Sequence, residues 1–177
     1  MKISRFIKYL FLLLPSLVSG QQYGFRNFSL EDGLPQTEVQ ALLQDSKGFL
    51  WAGTNGGGLV RFNGKSFRVF SNRDGLPDNI VYSLCEDREG NIWTGSLKVI
   101  SKYDGESFHT LSEENIPGFV AYNQVFADNN NRIWAVSFDE QDFLRLVTIT
   151  DDEIICVSDQ FSEIAGNMLN VFFCPQG

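Results

Sequence analysis

Three tryptophans, Trp51, Trp93 and Trp134, stand 42 and 41 residues apart, and each follows an aspartate by six residues: Asp45, Asp87 and Asp128. The blocks around them read QDSKGFLWAGT, EDREGNIWTGS and ADNNNRIWAVS. Upstream, EDGLP at 31–35 returns as RDGLP at 73–77; downstream, FNGKSF at 62–67 returns as YDGESF at 103–108. A period of about 40–50 residues with several short strands per unit is the signature of propeller blades, which bury their faces by stacking on one another. This period restricts the fold more than any other feature of the chain.

Four strands fit the second unit. Residues 81–86 make the first, 92–96 the second, 99–103 the third and 107–111 the fourth. Between the first two, Asp87-Arg-Glu-Gly90 is a tight turn: the aspartate accepts from backbone N–H groups ahead of it, and the fourth position takes a positive φ. Gly48 and Gly90 fill that position in the first two units and Asn131 in the third, asparagine being the residue after glycine that best tolerates it. The tryptophans occupy one place in the second strand and read as wedges between neighbouring sheets.

Asp-Gly-Leu-Pro falls between the last strand of one unit and the first of the next, so it reads as the blade-to-blade corner. Gly33 and Gly75 make the turn, and Pro35 and Pro77, which cannot donate to a ladder, sit before a strand. In the third unit the corner decays to Glu114-Asn-Ile-Pro117. The expected fold is therefore all-β: an incomplete propeller of about three four-stranded antiparallel blades, at 31–71, 72–111 and 112–158. Partial blades flank them, a ring-closing leading strand at 21–30, where 25–29 resembles 67–71, and the start of a truncated fourth blade at 159–177. An open arc exposes apolar faces and strand edges, so the chain is expected to be a piece of something longer, or to fold poorly alone.

Residues 1–20 stand apart. Lys2, Arg5 and Lys8 precede the apolar run YLFLLLPSLV, and Val18-Ser19-Gly20 gives the small residues of a cleavage site, so this segment reads as a signal peptide cleaved near Gly20, with a retained membrane anchor as the alternative. Its loss leaves 11 of the 14 basic residues against 22 acidic ones, a net charge of −11. Such a surface repels polyanions, and no basic cluster offers a nucleic-acid footprint. Export to the periplasm, or to the outer side of the inner membrane, is expected. Cys85, Cys156 and Cys174 lie among apolar strand residues and read as small buried hydrophobes, although an oxidising compartment leaves a disulfide open.

The corner, the Asp-x-x-Gly turn, the Trp strand ending in Gly-Thr, the glycine run Asn55-Gly-Gly-Gly58 and the aromatic-Asp-Gly-x-x-Phe hairpin together resemble the two-component regulator propeller repeat. The second unit departs by reading LKV at 97–99 in place of the glycine run, and the third keeps only its Trp block well. That resemblance implies the extracytoplasmic sensor region of a hybrid two-component histidine kinase, recognising an oligosaccharide. It also implies partners in further propeller blades and downstream signalling domains, with the membrane reached only through parts absent from this chain.

No catalytic set appears. His109 is the one histidine, and no nucleophile elbow, phosphate loop or zinc spacing is present. No cofactor or metal is expected; Asp128-Asn-Asn-Asn131 looks like a calcium loop until Arg132 takes a ligand position. Strand parity puts the corners at the same end as the turns between second and third strands. That end gathers the candidate ligand-binding residues Asn55, Asp74, Asp78, Asn79 and Asn123, whose amides and carboxylates suit sugar hydroxyls, with Tyr122 as a ring to stack on a sugar. The competing readings are a glycan lyase or hydrolase on a propeller scaffold, which needs paired carboxylates or a histidine–metal set, and a protein-interaction scaffold.

Overall fold

A computed structural model describes residues 24–97, 99–112, 119–139, 144–150 and 153–157. They form three four-stranded antiparallel sheets, each a meander in chain order. The first sheet holds β1 (Val39–Gln44), β2 (Leu50–Thr54), β3 (Leu59–Phe62) and β4 (Phe67–Phe70). The second holds β5 (Ser83–Glu86), β6 (Ile92–Gly95), β7 (Val99–Tyr103) and β8 (Phe108–Ser112). The third holds β9 (Phe119–Ala127), β10 (Ile133–Asp139), β11 (Leu144–Thr150) and β12 (Glu153–Cys156). These are propeller blades, three of them, in an open arc.

Pairing register repeats with the sequence. Trp51 lies opposite Leu43 and Arg61, Trp93 opposite Cys85 and Lys102, and Trp134 opposite Phe126 and Thr148. Successive side chains point to opposite faces. The tryptophan face of each blade therefore looks toward the next blade, and the other face toward the previous one. Trp51, Leu59 and Phe70 pack on Val81, Ile92 and Tyr103 of blade 2. Cys85, Trp93, Ile100 and Leu111 pack on Tyr122, Val125, Ile133 and Val147 of blade 3. Trp51 and Trp93 are thus the expected wedges, and removing either ring costs roughly 3–5 kcal/mol. Trp134 holds the same place in its blade but is only half-buried.

Backbone bonds stitch the blades at one end. The Val81 N–H donates to the Thr54 carbonyl at 3.0 Å, and the Tyr122 N–H to the Ser96 carbonyl at 3.0 Å. This approach dictates the glycine in the Trp-x-Gly strand. A Cβ on Gly53 would stand 2.7 Å from the Val81 carbonyl oxygen, and one on Gly95 would stand 2.6 Å from that of Tyr122. The third blade has Val136 at this position.

Two expectations change in detail. The strand expected to start at Val81 starts at Ser83, because residues 79–81 spend their hydrogen bonds on blade 1 instead. The leading segment forms no strand at 24–29, since a strand needs a paired neighbour and none lies beside it among the described residues. The segment read as a signal peptide, the third corner and the expected start of a fourth blade lie outside the described residues.

Candidate functional site

Turns at the two ends of the blades do different work. At one end lie the Asp-x-x-Gly turns. Asp45 Oδ1 accepts the N–H groups of Lys47 and Phe49, while Oδ2 accepts the indole N–H of Trp51 at 2.7 Å. Asp87 does the same for Asn91 and for Trp93, at 2.8 Å. Asp128 repeats it for Asn130, Arg132 and Trp134, at 3.0 Å. The sequence displayed the fixed spacing of six; its cause, one carboxylate closing a turn and saturating a buried indole, is a tertiary fact. Gly48, Gly90 and Asn131 take φ of 87°, 82° and 64°, as the turn requires. The indole of Trp134 and the backbone of Arg132 hold the Asp128 carboxyl well below the usual carboxylate range.

These turns also tie blade to blade. Ser46 donates through its N–H and its hydroxyl to Glu86 at 2.8 and 2.6 Å. Asn131 accepts from the Arg88 N–H at 2.7 Å and donates to Glu89 at 2.6 Å. Between blades 2 and 3 a cleft of about 340 Å³ opens beside Asp87, Glu89, Asn91, Trp93, Lys102 and Ile149. Its counterpart between blades 1 and 2 is filled: Arg61 lies 4.6 Å over the Phe49 ring, and Tyr103 stands edge-on to Trp51 at 5.9 Å. Asn91 and Ile149 replace Phe49 and Tyr103 in the repeat, so the cleft is space left by smaller side chains. Its carboxylates already accept from Asn91, Trp93 and Asn131.

The other end is the corner face, where the candidate residues were expected. Strand parity holds: the Asn55–Gly58 turn packs between both corners. A Cβ on Gly57 would lie 2.7 Å from Gln36 Cβ, and one on Gly58 would collide with the Phe70 carbonyl. The corner itself is a capped 3-10 turn. Ser71 caps Asn72–Asp74, with Asp74 Oδ2 accepting the Ser71 N–H at 2.9 Å and its hydroxyl at 3.0 Å; Gly75 closes the turn and Leu76 is buried. Those Ser71 bonds lower the Asp74 carboxyl. The serine cap was missed, although Ser29 and Ser71 share the 42-residue spacing.

Asn55, Asp78 and Asn79 come together at the junction of blades 1 and 2. Asn55 bridges to Ile80, and its amide donates to Glu38 at 3.0 Å. The Asn79 carbonyl accepts from Gly56 and Gly58, and its side chain accepts the Asn72 N–H at 3.1 Å. Asp78 accepts the Ile80 N–H at 3.0 Å. Asp74 is occupied by its cap. Tyr122 is a correction: it is fully buried between blades 2 and 3, so its ring cannot stack on a sugar. It occupies the place of Val81, where the incoming strand crosses to the previous blade. Asn123, beside it, is the exposed extra residue where pairing shifts between Tyr122 and Gln124.

His109 is exposed, its Nε2 2.6 Å from Asp104 Oδ2 and 3.2 Å from Ser107 Oγ. Both contacts use one ring nitrogen, so they close a hairpin tip and leave no relay geometry. Ser107 and His109 hold the Asp104 carboxyl well below its ordinary range. Cys85 is a free thiol, pushed up to about 12 by burial and by nearby Asp87. Among the described residues no three His, Cys, Asp or Glu side chains converge as a metal site, and no helix is long and apolar enough to cross a membrane.

The sequence pattern of the two-component regulator propeller matches at 33–56 and again at 75–98. Both stretches are two-component regulator propeller repeats. Each repeat runs from the corner glycine, through the first strand and the Asp turn, past the Trp strand into the next turn. It omits the outer hairpin. Among curated proteins no sequence matches the chain. Among solved structures, the chain is similar to the extracellular domain of a hybrid two-component system from B. thetaiotaomicron. The identity is 27% and the TM-score 0.57, over 68% of this chain and 17% of that one. It also resembles the extracellular domain of a one-component system from the same organism, at 18% identity and a TM-score of 0.56, over 76% of this chain and 18% of that one. The chain thus spans about a sixth of these neighbours.

Proposed function

We propose that this chain is part of an extracytoplasmic, non-catalytic sensor propeller that recognises an oligosaccharide and works with further blades and downstream signalling domains. The observation that carries the reading is the pair of propeller repeats in a chain 27% identical to the extracellular domain of a hybrid two-component system. The signal-like residues 1–20 and the acidic surface agree with an exported domain whose ligand is not a polyanion. At the corner face, Asn55, Asp78 and Asn123 present short amides and a carboxylate, each able to meet two neighbouring hydroxyls.

The test is a panel of neutral, acidic and amino oligosaccharides titrated calorimetrically into the chain, repeated with Asp78→Ala and Asn123→Ala. Binding weakened tenfold or more in both variants supports the reading. Unchanged binding moves the site off the corner face, and no heat with any class sinks the carbohydrate assignment. Secretion with Gln21 as the new N-terminus tests export.

A further inference from the structure

The two junctions between blades share a cation and a tryptophan at the Asp-turn end. In the first, Arg61 lies 5.6 Å over the Trp51 ring. In the second, Lys102 lies 5.5 Å over Trp93. The register is the same, Arg61 pairing with Trp51 as Lys102 pairs with Trp93. What differs is the aromatic company of that pair. Arg61 also lies 4.6 Å over Phe49, and Asn91 takes the place of Phe49 in the second unit. From the facing blade, Tyr103 meets Trp51 edge-on at 5.9 Å. Ile149 takes its place at the second junction, since Ile149 pairs with Ile133 as Tyr103 pairs with Ile92.

Both rings of the first junction are thus replaced by smaller side chains, and the cleft of about 340 Å³ lies where they would be. Its volume falls at the lower end of the range of small-molecule pockets. A cavity of about 150 Å³ is already enough to admit benzene. Asn91 is held against its own turn, its amide donating to Asp87 Oδ2 at 2.8 Å. The lining is apolar on the inside, where Trp93 is 5% and Ile133 4% exposed, with Ile149 half-buried beside them. Glu89 and Asn131, joined at 2.6 Å, add polar groups to the same lining.

We infer that this cleft is a binding site for a small neutral phenol. Its ring takes the space that Phe49 and Tyr103 fill at the neighbouring junction and lies against the Lys102 ammonium. The negative face of an aromatic ring attracts a cation, which favours an arene over an alicyclic ring of the same size. Carboxylate and amide oxygens of Glu89 and Asn131 suit the phenol hydroxyl, a donor. Asp87 and Glu89 outnumber Lys102 along the wall, so an aryl carboxylate is repelled. The site lies at the opposite end of the blades from the corner face and stands independently of the oligosaccharide reading.

The experiment titrates phenol into the full chain while the indole N–H resonances are followed by nuclear magnetic resonance. The Trp93 resonance should move saturably, and that of Trp51, whose junction is already filled, should stay in place. Cyclohexanol and benzoate should bind at least threefold more weakly than phenol. Asn91→Phe, which copies blade 1, should weaken phenol binding tenfold or more. Lys102→Met should weaken it threefold or more, with Lys102→Arg restoring it. No saturable shift of Trp93 at tens of millimolar phenol overturns the inference, as do equal shifts of Trp51 and Trp93. So does cyclohexanol or benzoate binding as tightly as phenol, or an Asn91→Phe chain that binds phenol unchanged. Should Asn91→Phe fail to fold, the Lys102 variants decide: Lys102→Met binding phenol as tightly as the parent chain refutes the site.

Discussion

Replacing Asp87 with alanine tests whether the six-residue spacing is one device or two. Asp87 Oδ1 accepts the Asn91 N–H at 2.8 Å, and Oδ2 accepts the Asn91 amide and the Trp93 indole, each at 2.8 Å. Asp87 is 8% and Trp93 5% exposed, so water cannot readily replace the lost acceptor at the indole. Bonds to a charged acceptor contribute about 1.5–3 kcal/mol each, and a buried donor left unmade costs about 1–3 kcal/mol. The backbone N–H of Asn91 is only part-buried and rehydrates more readily than the indole, so its share is smaller. Asp87→Ala is expected to destabilise by about 2–4 kcal/mol. Trp93→Phe removes the indole donor; in that background Asp87→Ala loses only the turn, and the coupling is about 1–2 kcal/mol. Urea unfolding of the four chains, followed by far-ultraviolet circular dichroism, measures it. Coupling under about 0.5 kcal/mol would mean the aspartate and the tryptophan act independently, and the account of the spacing would be wrong. The same cycle at Asp128 and Trp134 should give a smaller value, because Trp134 is half-buried and water can take the carboxylate's place.

Gly95→Ala should destabilise by about 1–3 kcal/mol in the same assay, since the new Cβ meets the Tyr122 carbonyl backbone of the next blade; a neutral result would show that the blades can slide apart. Asp74, Asp104 and Asp128 all have folded values depressed by the hydrogen bonds they accept. Their stabilisation is complete above the unfolded carboxylate value of about 3.9 and is lost as pH falls through the lower folded values. The thermal midpoint should therefore hold from pH 7 to 5 and fall below about pH 4, with Asp128→Asn flattening that fall. Cys85, with its thiol raised to about 12, should resist alkylation at pH 8 in the native chain and react on unfolding, read by mass spectrometry of its peptide.

Local chemistry made the blades legible. The Asp-x-x-Gly turn, the corner and the strand alternation depend on residues within a few positions of one another, so the 42-residue period marked all three sheets and placed Trp51 and Trp93 between them. The same period hid what depends on neighbours. Tyr122 and Asn123 both read as candidate ligand-binding residues at the corner end, yet one is sealed under blade 2 and the other exposed, because the strand crosses to the preceding blade at Tyr122. Asp74 read as a free carboxylate and is held by Ser71.

The sequence by itself determined the repeating unit, its turns and which face of each strand is apolar. Only the tertiary structure decided which of those faces is covered. Leu50 and Ile92 occupy the same position of the repeat, and one faces water while the other is buried on Trp51. The physical reason is range: a turn closes within a handful of bonds, whereas burial is conferred by a neighbouring sheet about forty residues away along the chain.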